Sequence, residues 1–388
     1  MRFRAVRTML ALGLTAGLLT AARGVQAQGL PKIPPGAWCS VLGAVTDSDT
    51  RVGPCKAWRN NKDDDCDGLD DGQEQCVLET NAPAFNFYSG GGDEEDHWPA
   101  NVDWLLARSE LWFSHSAATV SLPSGMTSCW HDRVASWGQL NQANLIATSH
   151  FKKTVSRYLG YRNWSQCTLT TTLARPTDSQ WDPDEHYYLR VSDDVHAGST
   201  NDADWKAYSH VYPNDVGGVD VQYWLVFAWN DGFGGTGTFG GNHEGDWEGL
   251  TVRRYATGQI AEVIMGEHGV QHRYPFSSVS WTNTHPHVWV AKGSHAMFPS
   301  EGMCDDVESD HGFWPFESPG CEGGYRKWRT WPNSYDGYGW RGGGLVNVGE
   351  IGRPLNGQNF INANILWGGG DGPRSISFFG AWKFTSVP

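Results

Sequence analysis

The sequence has no Cys-x-x-Cys pair, which excludes zinc ribbons and dithiol redox sites built on that spacing. No stretch approaches the ~20 consecutive apolar residues that a membrane-spanning helix needs. Basic residues are scarce: 29 lysines and arginines face 43 aspartates and glutamates, a formal charge of −14. That balance argues against binding nucleic acid or anionic membranes by bulk charge. Long apolar patterns with a 3.6-residue period are also rare, which argues against a helical bundle. Gly-x-Ser-x-Gly, a Ser-His-Asp order, a catalytic-cysteine context and a phosphate-cradling loop are all absent, so nothing supports covalent catalysis or nucleotide chemistry.

What the chain does have is glycine (48) and tryptophan (21) in quantity. That composition points to a mainly β fold with many turns, in which most tryptophans are core and the remainder can stack on sugars. Residues 1–27 read as a cleaved export signal: Arg2, Arg4 and Arg7 precede the short apolar run Met9–Thr20, and Val25-Gln26-Ala27 fits a small-x-small cleavage site. Without the four arginines of that segment the formal charge of −14 becomes −18. All eight cysteines (39, 55, 66, 76, 129, 167, 304 and 321) follow it. An even count in an exported chain reads as disulfides, and the clustering suggests local pairing, with Cys304 and Cys321 tying down the acidic loop Asp305–His311.

The densest chemistry lies in Gly240–Val252, GGNHEGDWEGLTV. The run from Asp246 alternates acidic and apolar residues, as a strand with one wet and one buried face does. Asp246 and Glu248 then share a face and Trp247 takes the opposite one. His243, three residues earlier, is placed to curl over the carboxylates from a glycine-rich loop. One imidazole and two carboxylates at a strand start suit a hard cation. Two further fragments supply similar groups at strand ends, Glu267-His268 and Ser294-His295.

Upstream, Asp63 to Glu74 reads DDDCDGLDDGQE and matches the calcium-loop pattern D-x-D-x-D-G-x5-E throughout. Asp63, Asp65 and Asp67 offer oxygens at alternate positions, Gly68 permits the turn, and Leu69 offers its carbonyl. Asp71 acts through water and Glu74 closes the site with both oxygens. The flanks show no helical pattern, so a paired helix-loop-helix hand is not expected. Elsewhere, strands are expected at APAFNFY, HYYLRVS, Val219–Asn230 (buried on both faces), 246–254 and Ile260–Met265. Short helices are expected from Asn101, behind Pro99, and over Leu140–Phe151.

These motifs also carry resemblances. The acidic loop is similar to the Asp/Cys-rich metal-binding motif of exported bacterial proteins and to the calcium repeats of thrombospondins. The segments APAFNFYSGGGDEEDHWPANVDWLL, VDVQYWLVFAWN, NHEGDWEGLTVR, GEHG, HVWVAKGSHAMFP and LWGGGDGP, in order from Ala82 to Pro373, resemble the vacuolar-protein-sorting-sixty-two-like family. More distantly, NHEGDWE resembles the heptapeptide of the necrosis- and ethylene-inducing-like proteins, secreted β-sandwich cytolysins that bind a divalent cation and sphingolipid head groups. That resemblance implies metal ligation by His243, Asp246, Glu248 and His268, with Asp231 as the upstream aspartate and Ser294-His295 in place of a later Thr-His. Glu244-Gly245 depart from the family's Arg-His, which detaches the toxin activity from the metal ligands.

The expected architecture is a signal segment (1–27), a Cys/Asp-rich calcium module (28–80) and a β-sandwich with peripheral short helices and long loops (81–388). The expected function is a secreted or cell-surface protein of bacterial type that recognises a glycan or glycolipid head group through a divalent cation. Ca2+ would occupy the amino-terminal loop, and Ca2+ or Mg2+ the main domain. An extracellular metal-dependent hydrolase is the alternative, with Glu244 or His268 accepting a proton and His295 stabilising charge. A calcium-stabilised surface protein without chemistry is the third reading. Sequence leaves open the ligand, the oligomeric state and whether a bond is broken.

Overall fold

Val219–Asn230 is apolar apart from Asp220, Gln222 and Asn230, and it forms a twelve-residue strand buried along nearly its whole length. It pairs antiparallel with His243–Arg254, from Val219 opposite Arg254 to Asn230 opposite His243. Around this pair a six-stranded sheet is built in the order Val270–Pro275, Ile260–Glu267, His243–Arg254, Val219–Asn230, Ala207–Pro213, Leu345–Asn347. Only the last strand runs parallel to its neighbour. The computed structural model describes residues 50–60, 62–88, 95–114, 131–149, 152–157, 167–172, 186–231, 242–267, 270–304, 325–332, 342–363, 365–368, 373 and 376.

Both faces of the Val219–Asn230 strand are covered, which explains its long apolar stretch. On one face Leu225, Phe227, Leu250, Val252, Val263 and Met265 share a core with Phe85, Phe87, Val288 and Val290. Those partners come from a second sheet in which Ala84–Tyr88 lies between His285–Val290 and Tyr325–Arg329. On the other face Trp224, Val226, Ala228 and Trp247 pack with Leu111, Tyr187, Leu189 and Val191. These belong to a third sheet ordered Ile365–Leu366, His186–Val191, Ser109–Ser114, His131–Ala135. The protein is thus mainly β, with several layered sheets and few short helices, in keeping with a β-sandwich. Buried Trp205, Trp328 and Trp367 are among the largest core side chains. The described residues belong to one compact unit, Val45–Pro388.

The helix behind Pro99 spans Val102–Ala107, with Asn101 as its N-cap, and the second expected helix is Gln142–Ser149. Two expectations need correction. A helix does follow the acidic loop, over Asp71–Asn81, and its N-cap Asp70 accepts from Gly72 N and Gln73 N. Its apolar signal is faint because only Val77 and Leu78 anchor it in the core, but the cap spacing Asp70-x-x-Gln73 marks its start. The disulfide Cys55–Cys76, with Cα atoms 5.6 Å apart, ties it to the 3-10 segment Thr50–Trp58. The second correction is that the acidic strand begins at His243 rather than at Asp246, because its edge continues to pair as far as Asn230. Cys66 and Cys304 are also in disulfides. The signal segment, Cys39, Cys129, Cys321, the acidic loop 305–311, the glycine-rich loop 232–241 and His268 lie outside the described residues.

Candidate functional site

Asp246 and Glu248 share one face of their strand, with Phe227 and Leu225 opposite them in register, and Trp247 packs into the core on the other face. Asp246 is buried. Its Oδ1 accepts from Trp247 N at 2.9 Å, and its Oδ2 accepts from Asn230 Nδ2 and His295 Nδ1, both at 2.9 Å. Asn230 also donates to Ser294 O at 3.0 Å. His295 is fully buried and lies flat on Phe227, ring centroids 3.7 Å apart, with Nε2 unpartnered. Its φ of +59° is a left-handed conformation rare for a non-glycine residue. Such strain costs on the order of 1–3 kcal/mol and persists only where the surroundings impose it. The Asp246 bond and the Phe227 stack do so here.

A second imidazole enters from a segment that the sequence reading left out of the site. Residues 95–100 are held against the central sheet through Ala100 N to Val226 O and against the turn at Ala197 through Trp98 N to Ala197 O, both at 2.9 Å. Glu95, fully buried in this segment, accepts from His97 N at 2.9 Å and Gly293 N at 3.3 Å. Burial raises its carboxyl pKa, against the opposing charge of His295 and the His97 N–H bond. His97 reaches Asp231 Oδ2 with Nε2 at 2.9 Å and His196 O with Nδ1 at 3.0 Å. Trp229 Nε1 donates to Asp231 Oδ1 at 2.6 Å. Burial works against charging His97, but the bonds to Asp231 and His196 O, with the negative charges of Asp231 and Glu95, together outweigh it and push the imidazole up to about 9. Asp231 is moved the other way: burial raises it, and the bonds from His97 and Trp229 together bring it below the usual carboxylate range. The rings of His97 and His295 meet edge to face, 6.4 Å apart.

Among the described residues, one atom each from Asp96, His97 and Asp231 lie within 4.8 Å of one another, and so do atoms of Asp193, His196 and Glu244. The two groups adjoin through His196, which stacks on Trp229 at 4.1 Å. Asp96 is well exposed, whereas His97 and Asp231 are mostly covered, so the first group opens to solvent on one side. Of the sequence candidates, Asp231 sits in this open group and Glu244 in its neighbour, where Glu244 Oε2 also accepts from Val191 N at 2.9 Å. His243 is half-buried in the strand, its Nδ1 2.8 Å from Gly245 O. Glu248 is half-buried beside Gly266, where a Cβ would come within 2.9 Å of Glu248 Oε2. Among the described residues, no three-ligand group contains Asp246, Glu248 or His243. Glu95 and His97 were missed because a short acidic stretch before Pro99 shows no period. Their one local signal was the dipeptide Asp96-His97.

The amino-terminal loop is the second constellation. Asp63, Asp65 and Asp71 bring ligand atoms within 4.8 Å of one another. Asp63, Asp65, Asp67 and Glu74 are all buried, and both oxygens of Asp65 and one each of Asp63, Asp67 and Glu74 have no hydrogen-bond donor. Leu69 seats its side chain in the core, and its N–H donates to Asp67 Oδ1 at 2.6 Å. Burial, reinforced by mutual repulsion, drives Asp65 and Glu74 well above the usual carboxylate range. Burial also takes Asp67 to about 7 and Asp71 to about 6. Buried acids with donor-free oxygens at calcium-loop spacing fit a hard divalent cation in both number and chemistry.

No family model and no curated protein matches the chain, so the vacuolar-protein-sorting-sixty-two-like resemblance has no family match behind it. Solved structures with local likeness are necrosis- and ethylene-inducing proteins. One is the necrosis and ethylene inducing protein 2 from the causal agent of cocoa's witches' broom disease, at 20% identity over 27% of this chain and 49% of that one, with a TM-score of 0.22. Another is NLPPya in complex with glucosamine, at 11% identity over 40% and 56% of the two chains, with a TM-score of 0.24. A third, described as a toxin fold serving as a basis for microbial attack and plant defense, is 11% identical over 42% and 59%, with a TM-score of 0.25. The chain thus spans between about half and three fifths of the lengths of the proteins it matches. At such TM-scores the overlap carries the likeness no further.

Proposed function

We propose that this chain is an exported protein that recognises a glycan or glycolipid head group through a bound divalent cation. The observation that carries this reading is the open Asp96–His97–Asp231 group beside the stacked His196 and Trp229 rings. A cation held there by two carboxylates and an imidazole keeps coordination positions for vicinal hydroxyls. The neighbouring rings offer an apolar face for a sugar to lie on. Asp231 is the ligand shared with the sequence reading, and His97 supplies the imidazole. Asp246, with three hydrogen bonds, positions His295 and Asn230 beneath the site. Calcium in the amino-terminal loop has a structural role in this reading. The motifs from Ala82 to Pro373 resemble those of the vacuolar-protein-sorting-sixty-two-like family, a resemblance that brings no activity with it.

Glycan-array binding with and without chelator, for the parent and for Asp231→Asn, tests this. Asparagine keeps the shape and can still accept from Trp229, so loss of binding equal to that caused by chelation is expected. An array pattern indifferent to both perturbations would refute the cation-mediated reading. One observation favours a second reading, a metal-dependent hydrolase. His97–Asp231 and His295–Asp246 are two imidazole–carboxylate pairs with adjacent rings, an arrangement suited to moving protons near a metal-bound water. Turnover on a panel of phosphoester, glycan and polyester substrates, abolished by Asp231→Asn, would establish it.

A further inference from the structure

We infer that Glu350, nearly three hundred residues downstream of the acidic loop, is a further ligand of the cation bound by Asp63–Glu74, so that the ion fastens the loop to the edge of the central sheet. The inference rests on the calcium-loop reading and adds a residue outside the twelve-position motif. Glu350 lies on the short strand Gly349–Glu350, directly after Leu345–Asn347, the parallel edge strand of the central sheet. It is completely buried. Its Oε1 lies 2.9 Å from Nε2 of buried His210, on the neighbouring strand Ala207–Pro213, and its Oε2 has no hydrogen-bond partner.

Three residues before Glu350, Asn347 donates to Glu74 Oε2 at 3.3 Å, which brings this edge against the closing residue of the loop. The other oxygen of Glu74 and both oxygens of Asp65 are buried and donor-free. The negative charge of Glu350 is felt at Asp65 and Asp67, where it adds to the penalty of burial. Three buried carboxylates that each keep a donor-free oxygen, Asp65, Glu74 and Glu350, are therefore brought from two remote parts of the chain into one dry region. A buried carboxylate oxygen is costly unless a donor or a metal satisfies it. Calcium takes six to eight oxygens and accepts a ligand from outside its loop without strain. His210 holds the Glu350 carboxylate in the way that imidazoles and carboxylates commonly orient a metal ligand from behind.

Calcium titration by calorimetry, together with terbium luminescence lifetimes in H2O and D2O, tests the inference on the full chain carrying Asp231→Asn, which removes a ligand from the cation site of the proposed function. Glu350→Gln keeps an oxygen toward His210 and replaces the free oxygen with an amide. A calcium Kd raised by about tenfold or more, with at least one additional water on bound terbium, is the expected result. Asp65→Asn in the same background should abolish loop binding. If Asp65→Asn loses calcium while Glu350→Gln keeps the parent Kd and hydration number, Glu350 is not a ligand and the loop reading stands. If Asp65→Asn binds as the parent does, the loop reading and this inference both fall. Should the glutamine variant not fold, Glu350→Asp keeps the charge but draws the carboxylate back by one methylene. It should show the same weakening and the same added water, and parent-like values there overturn the inference equally.

Discussion

Replacing Asp246 by asparagine changes one oxygen into an amide in a place where three donors converge. In the native arrangement Oδ2 takes Asn230 Nδ2 and His295 Nδ1, and Oδ1 takes Trp247 N, each at 2.9 Å. Asparagine has a single oxygen. Turned toward Asn230 and His295, it leaves its own NH2 against the buried Trp247 N–H; turned the other way, it opposes two donors. The better arrangement strands one buried donor, at a cost of about 1–3 kcal/mol. Asp246→Ala strands all three and should cost about 3–5 kcal/mol, the size seen when one member of a buried polar pair is deleted. Urea unfolding in excess chelator separates this from any effect of metal. With m about 3 kcal/mol/M for a chain of this size, the asparagine variant should unfold at a midpoint lower by about 0.3–1 M, with m unchanged. The reasoning fails if Asp246→Asn, without metal, stays within about 0.5 kcal/mol of the parent while its cation affinity collapses. That pair of results would make Asp246 a metal ligand rather than the hydrogen-bond centre described here.

Further expectations follow from single contacts. Gly245 has φ +63°, and a Cβ there would lie 1.7 Å from Trp367 O, so Gly245→Ala should destabilise by about 2–5 kcal/mol; an unchanged Tm would contradict the close approach. Glu244→Gln should leave glycan binding within about tenfold, and a collapse of turnover on any substrate with binding intact would instead establish the hydrolase. Calcium should bind the amino-terminal loop with a Kd of roughly 10⁻⁴–10⁻³ M, and chelation should speed proteolysis within residues 28–80; equal cleavage with and without chelator would count against occupancy. His287 is held down to about 4 by burial and by Lys327 and Arg329. Its folded pKa lies below its unfolded value, so its neutral form contributes stability above about pH 6.5 that is lost as pH falls toward 4; an NMR midpoint near 6.5 would refute this.

The elements legible in the sequence are those whose cause is local. The calcium-loop spacing of Asp63 to Glu74 needs only a turn at Gly68, and the alternation of Asp246, Trp247 and Glu248 needs only a strand. The cap at Asn101 binds its own helix, through Trp104 N at 2.7 Å. The run Val219–Asn230, apolar from Tyr223 to Trp229, declares a strand covered on both sides, whatever covers it. The sequence could not reveal which groups meet after the sheets close. His97 finds Asp231 across 134 residues, Glu95 finds Gly293 across 198, and Asn347 finds Glu74 across 273. None of these pairs leaves a period or a spacing in the chain. The same closure gives Asp246 the donors of His295 and Asn230, because a buried carboxylate takes the donors that its neighbours bring. The pattern of side chains along a strand is written by backbone geometry, but the partner of a buried charge is chosen only when packing removes water and leaves that charge the few dipoles within reach.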